Sequence, residues 1–281
     1  MSDLHAINDA INKRAGRKLL PSIATSLSLM AGVWALLKYF PFGFAVLVAT
    51  ALVLAIKELA HAFSSTDTYV SKRSLMLASV GLSIGAWIAG IRGLAIGLAV
   101  SLILMLVLLL RRGTKGFVAS ASASVFALVY LPFLTGFLIL LARPSNGLEQ
   151  IMVFVILVAS NDTFAYVTGV LIGKHPMAPA ISPKKTWEGL AGSIIFTTVL
   201  GFVSFDGILN LNPWVGAATG LLIVFTATTG DLIESAIKRD FAIKDMGNLL
   251  PGHGGVMDRL DSIVTSAPAL WLVLELVKYY S

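Results

Sequence analysis

Long apolar runs separated by short polar segments dominate the chain and predict a bundle of membrane-spanning helices. A helix needs about 20 residues to cross the hydrocarbon core of a bilayer, and nine runs come near or exceed that length. The runs are Leu19–Tyr39, Phe40–Ile56, Ser74–Ile91, Gly93–Leu110, Gly116–Ala142, Leu148–Ile172, Gly189–Phe205, Pro213–Gly230 and Ser262–Tyr279. The pattern therefore predicts an all-α integral membrane protein, a polytopic bundle of about nine transmembrane helices.

The segment before the first run has a different pattern. Leu4, Ile7 and Ile11 recur at helical spacing, and four basic residues follow them. This is typical of a short amphipathic helix lying on the membrane surface. A frayed, soluble tail is an equally good interpretation of residues 1–18.

Composition and charge agree with a membrane protein and orient it. Hydrophobic residues make up 57% of the chain and charged residues 13%, against roughly 25% charged residues in soluble domains. With the N-terminus in the cytoplasm, all but four of the 21 Lys and Arg residues face inward; the exceptions are Lys38, Arg92, Arg143 and Lys278. Because positive charge favours the cytoplasmic side, both large polar loops, Gly173–Glu188 and Asp231–Asp261, are predicted to be cytoplasmic.

The C-terminal polar loop places acidic groups at ordered spacings. If the eighth helix continues past the membrane surface, one face carries Asp231, Glu234, Ser235 and Lys238. The start of the ninth helix repeats the pattern with Asp258, Asp261, Ser262 and Thr265. Two facing sets of carboxylates suit Mg²⁺, which binds oxygen ligands and bridges to substrate phosphates. A solvated loop that carries only topology charges is the alternative, which the ordered spacing disfavours.

Between these acids lies a glycine turn. Pro251-Gly252-His253-Gly254-Gly255 lets the backbone approach a phosphate closely. Four bases in the same loop can neutralise phosphate charge; they are Lys238, Arg239, Lys244 and Arg259. Each base alone could equally be a topology anchor.

The other polar loop and one intramembrane acid add to the picture. Ser182 before Pro183 predicts an N-cap, with Lys184 and Lys185 in the first turn of the seventh helix. Lysines there oppose the helix dipole unless an anion binds, although simple membrane anchoring is the alternative. Asp162 lies within the sixth run, where an acid is costly and marks a functional site by default; a paired structural acid is the alternative.

These motifs carry a resemblance. The strings Ser235-Ala-Ile-Lys238-Arg239, Lys244-Asp245 and Pro251-Gly-His-Gly-Gly-Val-Met-Asp258-Arg259-Leu-Asp261-Ser262 resemble the phosphatidate cytidylyltransferases, also called CDP-diacylglycerol synthases. Upstream, Asp162-Thr-Phe-Ala-Tyr166, Gly173-Lys174 and Ser182-Pro-Lys-Lys-Thr186 are similar to further motifs of that family. The resemblance runs from about residue 155 to the end, whereas residues 1–110 resemble the family only in hydropathy.

The resemblance implies a homodimeric inner (plasma) membrane enzyme that acts on CTP and phosphatidate and binds no nucleic acid. It implies Mg²⁺, held by Asp231 and Asp258, with K⁺ as a candidate second cation. The implied catalytic residues are Asp231, Asp258, Lys238, Arg259 and Asp261. The implied substrate-binding residues are Asp162, Ser182, Lys184, Lys185, Thr186, Ser235, Arg239, Lys244, Asp245, His253, Gly254 and Gly255.

The predicted organisation has three parts. Residues 1–18 form the amphipathic cytoplasmic segment, residues 19–142 the N-terminal transmembrane helices, and residues 143–281 the catalytic transmembrane region with its cytoplasmic loops. Two other functions share some of these features. A CTP-dependent lipid kinase would release CDP, and the glycine-turn string argues against it. A cation or solute transporter could use Asp162 and Asp231 as ion sites, but it would not need lysines and a glycine turn clustered on one side.

Overall fold

The computed structural model describes residues 30–64, 68–247 and 254–280. The predicted amphipathic segment 1–18 and residues 19–29 of the predicted first span lie outside the described residues. Residues 30–39, the end of that span, are helical. Seven long helical elements follow; they are α1 (Pro41–Phe63), α2 (Lys72–Leu110), α3 (Phe117–Ala142), α4 (Gly147–Ile172), α5 (Trp187–Ser204), α6 (Pro213–Asp240) and α7 (Asp261–Tyr280).

The described helices confirm a polytopic membrane fold. Each of the seven, with α5 extended by a π turn to Leu209, is long and apolar enough to cross a bilayer. The sixth to ninth predicted runs correspond to α4, α5, α6 and α7, with small differences at the ends. The main difference is that α6 continues ten residues past the predicted end at Gly230, to Asp240. The condition under which its acids share one face is therefore met.

The element α2 contains two predicted spans and reverses direction between them. Gly90 has φ 63° and ψ −142°, which no helix accommodates. Across the turn, a Cβ on Gly97 would lie 3.5 Å from the Cα of Leu82, although 15 residues of straight helix rise about 22 Å. Arg143 donates from Nε to the Trp87 carbonyl oxygen at 2.8 Å and thereby satisfies a helix-end acceptor at this turn. The two predicted runs are thus two antiparallel helices.

The helix α3 contains a π turn at Val129–Phe133, and this turn holds Pro132. Proline lacks an N–H group and cannot continue the regular hydrogen-bond ladder, so the widened turn accommodates it. Tyr130 lies in the same turn and is buried. The predicted fifth run is therefore one span with a local irregularity at its centre.

The segment predicted to begin the seventh helix is instead a β-hairpin. Strand β1 (Pro176–Ala178) pairs antiparallel with β2 (Ser182–Thr186), so the prediction that Ser182 is an N-cap and Lys184 and Lys185 lie in a first helical turn is wrong. The actual N-cap is Thr186, whose Oγ1 accepts the N–H of Gly189 at 3.1 Å. Strand pairing satisfies the backbone groups of residues 182–186 that face β1.

Candidate active site

Three carboxylates from two helices meet where α6 leaves the bundle and α7 enters it. Asp231 and Glu234 lie one turn apart on α6, and Asp261 begins α7. One oxygen from each lies within 4.8 Å of the others. The helices approach closely because Gly230 has no side chain; a Cβ there would overlap Thr265 Oγ1 and the Asp261 carbonyl oxygen. We call Asp231, Glu234 and Asp261 the acidic cluster.

The geometry of the acidic cluster fits a divalent cation. Glu234 is only 1% exposed, and its Oε1 has no hydrogen-bond partner among the described residues. A buried carboxylate oxygen without a donor is costly, and a cation would satisfy it. Oxygen-only ligands from carboxylates are those that hard divalent ions prefer. The residues present therefore fit a divalent metal.

Two lysines flank the acidic cluster. Lys185 Nζ lies 2.5 Å from Asp231 Oδ2, and Lys238 Nζ lies 2.6 Å from Glu234 Oε2. Lys185 reaches the cluster from β2, and Arg239 Nε donates to the Ile181 carbonyl oxygen at 3.3 Å, which ties the hairpin to α6. The adjacent Lys184 is exposed, as alternation along a strand requires. The structure therefore brings Lys185, rather than Lys184, to the acids.

Asp258 lies beside the acidic cluster, in the 3₁₀ turn Met257–Arg259. The prediction that it lies at the start of the ninth helix is wrong, because α7 begins only at Asp261. The Asp258 carboxylate accepts Lys238 Nζ at 3.0 Å, the Gly255 N–H at 2.7 Å and the Met246 N–H at 3.2 Å. It therefore bridges α6, the segment before residue 248 and the glycine turn. The prediction that Asp258 binds metal stays a prediction; in this structure its oxygens face N–H donors.

The charge state of Asp258 follows from those contacts. Burial raises its pKa, but the neighbouring Glu234 carboxyl group, the Gly255 N–H and Lys238 together outweigh burial and hold the pKa below its ordinary value. Because the unfolded value is about 3.9, ionised Asp258 stabilises the turn at every pH above about 4. That contribution is lost as pH falls through the lower folded-state pKa.

Asp162 lies next to the start of α7. Its Oδ1 accepts Asn161 Nδ2 at 3.0 Å and lies 3.5 Å from Ser262 Oγ, one residue after Asp261. Asn161 is in turn held by Ser193 of α5. The intramembrane acid singled out from the sequence is thus connected to the acidic cluster through polar side chains of three helices.

Some of the other predicted site residues lie against the acids of the site, and others are exposed to solvent. Ser235 Oγ lies 3.4 Å from Asp231 Oδ1. Gly254 has φ +79°, and a Cβ there would lie 2.9 Å from Asp258 Oδ2, so both glycine-turn residues described here lie against Asp258. Three further predicted residues are exposed to solvent in the described structure, namely Lys244, Asp245 and Arg259. His253 lies outside the described residues.

Three residues near the site escaped assignment from the sequence. Glu234 lies on the predicted acidic face but was not given a role. Tyr130 is buried with a hydroxyl that has no partner among the described residues, close enough for the charges of the acidic cluster to act on it. Glu58 of α1 accepts backbone N–H groups from Val256 and Met257. A charged residue at the end of an apolar run was the only signal for Glu58.

Comparison with known proteins shows the family of this chain. The chain matches the model of the Cytidylyltransferase family over residues 22–277. It is 38% identical over 278 residues to the phosphatidate cytidylyltransferase of Mycobacterium bovis, covering 94% of this chain and 90% of that protein. The same identity and length hold for that of Mycobacterium tuberculosis H37Rv, with 94% and 84% covered. The Staphylococcus aureus COL enzyme is 32% identical over 232 residues, with 79% and 86% covered. The similarity includes the N-terminal half, and the chain belongs to the phosphatidate cytidylyltransferase family.

Proposed function

We propose that this chain makes CDP-diacylglycerol and pyrophosphate from CTP and phosphatidate at the acidic cluster. The observation that carries the proposal is the acidic cluster itself, with an unpartnered, buried oxygen on Glu234 and a lysine on either side. Enzymes of this family use a divalent metal. Mg²⁺ is the ion we assign, with Asp231, Glu234 and Asp261 as the residues that would hold it, and K⁺ is the candidate second cation.

The reaction needs charge neutralisation more than it needs a base. An oxygen of the phosphatidate phosphate forms a bond to the α-phosphorus of CTP, and the bond to the bridging α–β oxygen breaks, so pyrophosphate leaves with the electron pair. A phosphate monoester has a second pKa of about 6, so the nucleophile is already largely dianionic at neutral pH. A metal held by the acidic cluster would supply neutralisation of phosphate charge.

The chain's own residues do the remaining work. Lys185 and Lys238 are the cations that can turn from their acids to phosphate oxygens, because a charge-assisted contact to phosphate replaces the one lost. Gly254 and Gly255 leave the backbone open for close approach of a phosphate. Asp162 accepts a hydrogen bond from Ser262 in the first turn of α7 and so positions that side chain. The lipid tails stay in the bilayer while the head group reaches the polar site at the helix ends.

We further propose nine spans, with the N-terminus and the polar loops in the cytoplasm of an inner (plasma) membrane protein. The support comes from contacts at the two ends of the bundle. At one end, Arg112 stacks 3.6 Å from the centre of the Tyr69 ring and Lys185 contacts Asp231. At the other end, Arg143 contacts the turn at Gly90. A homodimer is the assembly that the family implies.

Single cysteines test this orientation, because the chain has no native cysteine. Cysteines at Ala180 and Asp240, both exposed, should react with an impermeant thiol reagent only from the cytoplasmic side. Cysteines at Asn146 and Asn210, exposed at the opposite helix ends, should react only from outside. The basis is the strongly uneven distribution of Lys and Arg. Labelling of a cysteine at position 240 from outside intact cells would show that the proposed orientation is wrong.

Lys185→Ala should raise the KM for CTP about ten-fold or more, since a charge-assisted hydrogen bond is worth about 1.5–3 kcal/mol. Lys184→Ala should have a smaller effect, because in the hairpin only Lys185 contacts the acidic cluster. Steady-state kinetics with varied CTP and fixed phosphatidate measures both. Equal effects of the two substitutions would mean that the lysines act as a general positive field rather than through the contact to Asp231.

Pyrophosphate release tests the proposed reaction. Purified protein should release pyrophosphate from CTP only when phosphatidate and Mg²⁺ are both present. Diacylglycerol in place of phosphatidate is the matched control, because it lacks the attacking phosphate. Release of CDP instead of pyrophosphate would indicate a lipid kinase, and nucleotide-independent ion uptake into vesicles would indicate a transporter.

A further inference from the structure

A carboxylate of the N-terminal half of the chain contacts the turn that carries Asp258. Glu58 lies near the end of α1, and its two oxygens accept the N–H of Val256 at 3.0 Å and the N–H of Met257 at 2.9 Å. These two residues begin the 3₁₀ turn that carries Asp258. The first N–H groups of a helical turn have no partner within it, so Glu58 supplies their acceptors from 198 and 199 residues away.

The surrounding backbone is shaped to receive this carboxylate. A Cβ on Gly255 would lie 2.5 Å from Glu58 Oε2. At Gly247 the three nearest atoms to a Cβ are all in the Glu58 side chain, and the closest, Oε1, would overlap it. Gly247 does not have the positive φ that strains other residues, so the Glu58 side chain is what crowds a larger residue there. Both sides of the segment 248–253 therefore contact the same acid.

The turn held by Glu58 leads directly to the site. Asp258 follows Met257 in the chain and accepts hydrogen bonds from Lys238 and from the Gly255 N–H. Lys238 also contacts Glu234 of the acidic cluster. The position of Glu58 thus determines where Gly255 and Asp258 lie relative to the cluster. Because a misplacement of about 1 Å can cost roughly a hundred-fold in rate, a contact of this kind bears on turnover.

We propose that Glu58 is a positioning residue of the active site, holding the Asp258 turn in place from the N-terminal helices. The inference rests on the proposed function of the acidic cluster and adds a role for α1. Glu58 acts through Val256 and Met257 and does not touch substrate. A purely structural acid would affect stability alone, whereas a positioning residue affects kcat of the folded enzyme.

Substitutions at Glu58 separate these roles in full-length protein in detergent or vesicles. Glu58→Ala should lower kcat about ten-fold or more, because two hydrogen bonds to a charged acceptor are lost. Glu58→Gln should retain more activity, since its amide oxygen can still accept one N–H. Glu275→Gln, at an exposed acid paired with Lys278, is the matched control and should keep wild-type kcat. A lowered Tm with unchanged kcat in both Glu58 variants would overturn the proposal.

A double substitution tests the contact itself. Gly247→Ala should lower kcat about as much as Glu58→Ala does, because the new methyl group displaces the carboxylate. In the Glu58→Ala background, Gly247→Ala should cause little further loss, since the atoms it crowds are gone. Full activity of Gly247→Ala alone, or additive losses, would contradict the contact. If wild-type protein releases no pyrophosphate, the proposed function fails; if it does and all these variants match it, only the role of Glu58 fails.

Discussion

Asp231→Asn should lower pyrophosphate release at least about a hundred-fold without lowering the Tm. Asp231 supplies one carboxylate of the acidic cluster and is the acid that Lys185 contacts. Loss of groups that merely support a metal site typically costs about 10–100-fold, so loss of a ligand should cost at least as much. Stability should hold or rise, because removing one of three neighbouring carboxylates relieves like-charge repulsion. Activity and thermal unfolding of the purified variant measure both effects.

The control for this variant lies on the same helix. Asp240 is exposed at the end of α6, and Asp240→Asn removes the same charge without touching the acidic cluster. It should keep wild-type activity. Near-normal turnover of Asp231→Asn at ordinary Mg²⁺ would remove Asp231 from the site, and a large drop in its Tm would mean that its role is structural.

Asp258→Asn should lose most turnover and also lower the Tm, which distinguishes it from Asp231→Asn. The carboxylate of Asp258 accepts Lys238 and two backbone N–H groups. An asparagine turns an NH₂ group towards some of these donors, and each lost charge-assisted bond is worth about 1.5–3 kcal/mol. The glycine turn should therefore loosen, and limited proteolysis within residues 247–257 should become faster.

The pair of measurements assigns the role of Asp258. A lowered Tm and faster cleavage together with lost turnover would place Asp258 as the residue that shapes the turn. Lost turnover with an unchanged Tm and an unchanged cleavage rate would instead support the prediction that it holds metal. Wild-type turnover would exclude both.

Most of the membrane fold could be predicted from hydropathy. Only helices or closed barrels can cross a lipid bilayer. The apolar runs have the length of membrane-spanning helices and not of the shorter barrel strands, so hydropathy predicts helices. Even the reversal at Gly90 follows, since the charged Arg92 separates two runs of spanning length. The bounds of α6 could not be predicted from apolarity, because the helix continues to Asp240 through a polar face. Its acidic face packs against the start of α7 and contacts Lys185 of the hairpin.

The β-hairpin was beyond local sequence signals. Ser182 before Pro183 is typical of a helix start, but the same residues also suit an edge strand, where proline needs no N–H partner. The partner strand at Pro176–Ala178 decided between the two. The pairing of these two strands cannot be predicted from the hydrophobic and polar pattern of either segment alone.

The sequence identified the acids of the site but not how each of them is used. Spacing along α6 and α7 placed Asp231 and Asp261 together, and it placed Asp258 nearby. It did not distinguish the oxygens that face one another from those that face N–H donors. Glu58 could not be found in this way, because it lies 198 positions before Val256 and no sequence pattern connects the two.

The fate of the CTP phosphates is the strongest test of cytidylyl transfer at this site. Wild-type protein should be incubated with phosphatidate, Mg²⁺ and CTP labelled at either the α- or the γ-phosphate, and the lipid should be extracted. We expect the α-label in the lipid and the γ-label in pyrophosphate, with both transfers lost in Asp231→Asn. The γ-label in the lipid would show a kinase, and α-label transfer at the wild-type rate in Asp231→Asn would place the chemistry elsewhere.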